Sequence, residues 1–343
     1  MSKNYLSVIK VLTDCSPAAT GEIIIPDDVV IIDQYVFSGC DLIESVVIPD
    51  SVEVIRYHAF GNCSNLKSIK FGNGLKRIEG LTFWNCDSLE SIVIPASVEV
   101  IDNLAFCLCE SLESIVVDSK NKLYDSRDNC NAIIETSSNT LIIGCASSSI
   151  PEGVTTVGQY SFMGCSSLTE IVIPESVTKI GDDAFEDCSS LTEVVIPEGV
   201  TKIGEGAFAF CSSLESIVVD SNNKVYDSRN NCNAIIHTES NTLIAGCKNT
   251  IILEGVTRIG ESAFWGCTSL TSIVIPDSVT EIGRKAFVGC DSLTKVVIPE
   301  SVTEIGEAAF RDCSSLKKVS IPERFKEREA DIFGEHTAEI TYY

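Results

Sequence analysis

The chain has 343 residues, of which 49 are acidic and 25 basic, for a formal charge of −24; 44% are hydrophobic and 22% charged. That is too apolar for a disordered chain, and so negative a surface repels phosphate backbones and anionic headgroups, which excludes nucleic acid and acidic membranes as partners. No apolar run reaches 18 residues, so no membrane insertion is expected.

The N-terminal stretch MSKNYLSVIKVLTDCSPAATG has one early Lys, a broken apolar segment and no small-residue cleavage site. It reads as no export signal. Within it, YLSVIKVLTDC suits a strand capping whatever follows, and residues 1–21 are assigned to that cap.

From there the chain repeats itself. Phe37, Phe60, Phe83 and Phe106 are spaced by 23 residues, as are Phe162, Phe185 and Phe208, and then Phe264, Phe287, Phe310 and Phe333. The two intervening jumps are each 56 residues, which is 23 plus 33. Eleven units follow, and a period this short replaces any division into ordinary domains.

One unit, written from Leu168, reads L-x-x-I-x-I-P-x-x-V-x-x-I-G-x-x-A-F-x-x-C. Glu170–Ile173 alternates around β-branched Ile171 and Ile173 and stops at Pro174, which predicts a strand. A shorter extended piece is expected over Val177–Gly181, and Ala184–Cys188 allows no more than a turn. A single coil cannot bury its own Leu, Ile, Val, Phe and Cys, whereas stacked coils line them into a common interior. The expected fold is a mainly β repeat solenoid. The Gly after the second extended piece (Gly158, Gly181, Gly204, Gly260, Gly283, Gly306) becomes Asp33, Arg56, Glu79 and Asp102 in the first four units, so that position is not expected to need a positive φ.

The columns L-x-x-I-x-I, A-F and Cys resemble the BspA-like leucine-rich repeats of the 23-residue treponemal type, over about Glu22 to Phe333. The resemblance implies a curved right-handed superhelix, with a parallel sheet on the concave face and short 3₁₀ or turn segments on the convex side. It also implies adhesive, surface-exposed or secreted bacterial relatives that interact with host proteins.

Two segments interrupt the period. Ile115–Cys145 and Ile217–Cys247 agree at 25 of 31 positions. Each contains two strand-like runs, Ala132–Ile134 and Thr140–Ile143 in the first, around a Ser-Ser-Asn turn, which predicts an added hairpin. The organisation is thus repeats over 22–117, an insertion over 118–148, repeats over 149–219, a second insertion over 220–250, repeats over 251–321 and a charged C-terminal cap over 322–343. In that cap His336 stands where the repeat has Cys.

Asp118, Asn121, Asp125 and Asp128 gather oxygen donors, but their spacing lacks the order of a calcium loop and Lys120 and Lys122 intervene. Asx turns account for them. Ten of the sixteen cysteines occupy one repeat column, where parallel neighbours about 4.8 Å apart miss disulfide geometry and suit buried thiols. Cys130 with Cys145, and Cys232 with Cys247, bracket their turns symmetrically and would face each other in an antiparallel register, so these two pairs are the candidate disulfides. Many free thiols favour a reducing compartment, against the cell-surface or secreted location that the resemblance implies. No metal or cofactor is expected: Cys107 and Cys109 lack zinc-knuckle spacing. His58, His237 and His336, the three histidines, lie in different parts of the chain with no shared nucleophile.

The sequence therefore points to binding rather than catalysis. In each strand the residues flanking the inward pair face the concave side. They form a column of Val47, Lys70, Val93, Val116, Val172, Val195, Val218, Val274, Val297 and Ser320, beside one of serines interrupted by Glu170 and Glu193 and ending in Lys295 and Lys318. A contiguous valine strip marks a binding surface, although β-branched residues also serve a sheet for their own sake. The expected partner is a protein or peptide on Val93, Val116, Glu170, Val172, Glu193, Val195, Val218, Val274 and Val297, and the expected state is a monomer. The alternative is a structural or self-associating repeat protein; an enzyme is the remotest reading.

Overall fold

The computed structural model describes residues 10–16 and 19–343. They form two compact units, Met1–Ser149 and Ile150–Tyr343, each built as a mainly β parallel solenoid.

In the first unit every coil supplies a long and a short strand. The short strands Val11–Leu12, Ile31–Ile32, Val54–Ile55, Arg77–Ile78 and Val100–Ile101 form one parallel ladder, in register at the 23-residue period from Ile31 onward. The long strands Gly21–Ile24, Ile43–Val47, Ser68–Lys70, Ser91–Ile94 and Ser114–Val117 form the other. The N-terminal cap is seen in Val11–Leu12 pairing with Ile31–Ile32; Tyr5 to Ile9 lie outside the described residues.

Parallel register puts equal residues of successive coils against one another, and this makes the core. Phe37, Phe60, Phe83 and Phe106 stack with centroids 4.7, 5.3 and 5.1 Å apart and planes within 10°. Each coil adds buried Leu, Ile, Val and Ala beside its Phe, so the apolar interior runs without a break from coil to coil.

The second unit repeats this arrangement. Phe162, Phe185 and Phe208 stack, and so do Phe264, Phe287, Phe310 and Phe333. Its end is closed by the 3₁₀ turn Glu323–Arg328, the short helix Glu329–Phe333 and the strand Glu339–Tyr342, which pairs with Lys318–Ile321.

The long-strand ladder of this unit departs from the expected regularity. Glu170–Ile173 keeps its alternation, with Ile171 and Ile173 buried and Glu170 and Val172 exposed, yet it forms no strand. Glu193–Ile196 pairs with Ser216–Val219 alone, which leaves Glu170–Ile173 without a ladder neighbour. The matching segment after the second insertion, Ser272–Ile275, is likewise outside any sheet, and Lys295–Val297 pairs only with Lys318–Ile321. Alternation read from sequence fixes which side chains are buried; strand formation also needs a partner backbone in register.

The glycine column has a steric cause. A Cβ on Gly181 would lie 2.5 Å from the backbone nitrogen of Gln159, and one on Gly283 2.6 Å from that of Glu261; neither glycine has a positive φ. The coils therefore approach too closely here for any side chain. In the first unit the same column is filled, and Arg56 and Asp33 form an ion pair of 2.8 Å across adjacent coils.

Candidate functional site

The outward residues of the long strands line up as the alternation requires. In the first unit the register places Ile24 beside Val47, Val47 beside Lys70, and Val93 beside Val116. In the second it places Val195 beside Val218 and Val297 beside Ser320. Val93, Val116, Val195, Val218 and Val297 are all exposed, and Val172 and Val274, on the unpaired segments, are 80% and 79% exposed. Glu170 and Glu193 beside them are exposed as well.

Two members of this row were not expected. Ile24 is 67% and Ile251 is 62% exposed, and both stand in the outward column. Each lies two residues before the Pro position, Pro26 for Ile24 and Leu253 for Ile251. That offset was the available signal, masked in both units by the loss of the leading Leu, which is Thr20 before Ile24 and Cys247 before Ile251.

What supports this row is a second set of contacts within each unit. The thiol of Cys63 donates to the carbonyl of Phe37 at 3.0 Å, Cys86 to Phe60, Cys188 to Phe162, Cys211 to Phe185, Cys290 to Phe264 and Cys313 to Phe287. Each bond spans 26 residues, from one coil to the turn of its predecessor. Cysteine is small enough for the stack and supplies a donor for a buried carbonyl, which Ala could not do. Burial pushes the thiols of Cys63, Cys267 and Cys313 up to about 12.

Comparison with known proteins agrees with this geometry. The sequence matches the BspA type leucine rich repeat region, in six copies, over residues 17–136, 138–246 and 241–342. The chain belongs to the BspA-type leucine-rich repeat family. A leucine-rich cell surface protein from Faecalibacterium prausnitzii is similar in structure, at 28% identity and a TM-score of 0.55 over 94% of this chain and 87% of that one. A leucine-rich repeat protein from Eubacterium ventriosum superposes with a TM-score of 0.61 at 24% identity, over 91% and 90% of the two chains. No curated protein matches the sequence.

The two insertions into this BspA-type scaffold are built alike. Each carries the expected hairpin, Ile133–Glu135 with Thr140–Ile143 and Ala234–His237 with Thr242–Gly246. Each also carries an unexpected third strand, Tyr124–Asp125 and Tyr226–Asp227, antiparallel to the first arm. The N-K-x-Y-D-S motif closes the ladder that the insertion interrupts. Asn121 Nδ2 donates to the carbonyls of Pro95 and Val98, both at 3.0 Å, while its Oδ1 accepts from the amides of Leu123 and Tyr124. The Tyr124 hydroxyl accepts from the Ile101 amide and Ser126 Oγ from that of Val117. Asn223, Tyr226 and Ser228 make the same bonds in the second insertion.

Three of the four residues considered for calcium, Asp118, Asn121 and Asp125, are thus engaged with protein. Asp118 Oδ1 accepts from the Lys120 amide, and Asp125 accepts from the Arg127 amide and guanidinium. Among the described residues, no three His, Cys, Asp or Glu side chains gather as a metal site would need. No helix among them is long and apolar enough to cross a membrane.

The hairpin register bears on the candidate disulfides. Within the first hairpin Ile134 pairs with Leu141, but after a bulge Ile133 pairs with Ile143, a slip of one residue on the way to the cysteines. The second hairpin slips at the same place, between Ile235 and Ile236. A symmetric Cys130–Cys145 pairing does not survive the slip. All four are free thiols: Cys130 Sγ lies by the carbonyl of Ala132 and Cys145 Sγ by that of Asn131, with Cys232 and Cys247 arranged alike.

The histidines are apart, each in local contacts. His58 faces Ser38 Oγ at 3.2 Å among the rings of Tyr35, Tyr57 and Trp84. His237 contacts Ser240 at 2.9 Å, and His336 contacts Glu329 at 3.2 Å. The aromatic group around His58 is a feature that reading one histidine at a time did not find.

Proposed function

We propose that this BspA-type protein is a non-enzymatic protein-interaction scaffold that binds a protein or peptide ligand across the outward face of its parallel sheets. The observation that carries this is the row of exposed β-branched residues, Val172, Val195, Val218, Ile251, Val274 and Val297 in the second unit and Ile24, Val93 and Val116 in the first. Val93, Val116, Val172, Val195, Val218 and Val297 are each exposed between two buried neighbours, and apolar area held open in this way serves association. Glu170, Glu193 and the serines beside them give the polar rim that fixes register. The cell-surface description of the Faecalibacterium protein supports a surface location here. The working state is a monomer, with the outward face free.

The test is a peptide-display selection against the immobilised protein, followed by the triple variant Val172→Thr, Val195→Thr, Val218→Thr. Selected peptides should lose binding to the triple variant while its thermal unfolding stays unchanged. Retained binding with unchanged folding would remove the outward face as the site.

A further inference from the structure

The outward face of the second unit has an open seam. The Thr294 carbonyl accepts from the amides of Lys317 and Lys318, and the Ile298 amide donates to Ser320, so residues 294, 296 and 298 turn their backbone groups toward Lys318–Ile321. By the alternation of a strand, Lys295 and Val297 turn their N–H and C=O groups the other way. On that side stands Ser272–Ile275, and no ladder bond joins the two segments. Backbone groups of this kind are normally paired. The space between is a groove of about 560 Å³, walled by Ser272, Ile273, Val274, Ile275, Lys295 and Val297, with Asp277 and Tyr343 at its end.

Its chemistry is specific. Ile273 is half-buried, although its counterpart one coil later, Val296, is 1% exposed, so the seam lays open an apolar position that the next coil covers. Lys295 stands at one end without an ion pair and Asp277 at the other, while Glu300 is already bound to Arg324. Both walls run in the same direction. The Tyr343 hydroxyl donates to the Ile298 carbonyl and fixes the aromatic end wall.

We propose that this seam binds an extended peptide by strand addition: about five residues parallel to Lys295–Val297, with an acidic residue at the Lys295 end, β-branched residues in the centre and a basic residue at the Asp277 end. The proposal rests on the reading of the outward face as a binding surface and names the mode of recognition. The bound peptide receives and donates hydrogen bonds at Lys295 and Val297, and its alternate side chains pack on Val274 and Val297. Recognition through backbone bonds tolerates many sequences, while the polarised ends select direction.

The probe is a fluorescein-labelled, end-blocked Glu-Val-Thr-Val-Lys peptide and a twin N-methylated at alternate amides, measured by fluorescence anisotropy together with hydrogen exchange read at single amides. The unmodified peptide should bind and slow exchange at Lys295 and Val297. The N-methylated twin, and the Asp277→Lys protein with the unmodified peptide, should each bind about tenfold more weakly. Equal binding of the twin, protection away from these amides, or slow exchange at Lys295 and Val297 in the free protein would overturn the proposal. So would protection that appears with protein concentration alone, which would make a second copy the occupant. The Val172→Thr, Val195→Thr, Val218→Thr variant retains the probe, so loss of display-selected peptides there with retained probe binding separates the two sites.

Discussion

Cys188 donates its thiol hydrogen to the carbonyl of Phe162, 3.3 Å away and one coil back. Since burial raises this thiol well above its ordinary range, it is a poor nucleophile at neutral pH. The same holds for Cys63, Cys86, Cys109, Cys211, Cys267, Cys290 and Cys313 in the column. Alkylation of the native protein at pH 8 should therefore modify few thiols, led by the partly exposed Cys15 and Cys165, and unfolding without reductant should release all sixteen. A count of fourteen or twelve would show one or both hairpins bridged.

Asn223 ties the second insertion to the coil before it. Its Nδ2 donates to Pro197 and Val200 at 2.8 and 2.9 Å, and its Oδ1 receives the amides of Val225 and Tyr226, so all four hydrogen-bonding capacities of the amide are used. Asn223→Ala strands two carbonyls and two amides in a buried place. A loss of about 1–3 kcal/mol is expected from chemical denaturation. Asn223→Asp should not rescue it, because a carboxylate offers acceptors where two donors are needed. Wild-type stability in either variant would mean that the motif is not the clamp.

Gly204 faces the backbone of Asp182 and Gly181 with no room for a methyl group. Gly204→Ala should cost about 1–3 kcal/mol through overpacking between coils. Since the strain is steric and no positive φ is involved, Gly204→Asn should be worse than Gly204→Ala. Asn is the residue that would relieve a left-handed backbone, so a stable Asn variant would contradict the steric cause.

The interior of this protein was legible because a solenoid needs identical residues at identical positions: Phe185, Cys188, Ile196 and Val200 are buried as their columns require. The outward valines were legible for the same reason, since the alternation that buries Val194 and Ile196 exposes Val195. What the sequence did not show were properties of pairs of coils. Glu170–Ile173 and Ser272–Ile275 have good strand sequences and no partner backbone, which no single repeat can reveal. The bulge at Ile133–Ile134 is equally invisible in a symmetric Cys130–Cys145 spacing. Ile24 and Ile251 were hidden because their units lack the leading Leu, with Thr20 and Cys247 in its place.

Glu186 carries the last prediction. Burial, and then the charges of Asp183 and Asp187, push its carboxyl up to about 7, while Lys285 opposes the shift. A carboxyl whose folded pKa lies above its unfolded value binds more protons in the folded state between about pH 4.5 and 7, so stability falls as pH rises through that window. Above it Glu186 is a charge held among like charges. Glu186→Gln should therefore raise the melting temperature at pH 8 and change it little at pH 5, where the wild-type carboxyl is already protonated. Melting curves of both proteins over that range check this. An equal shift at both pH values would assign the effect to packing, and a lower melting temperature at pH 8 would mean that attraction to Lys285 outweighs burial and the neighbouring acids.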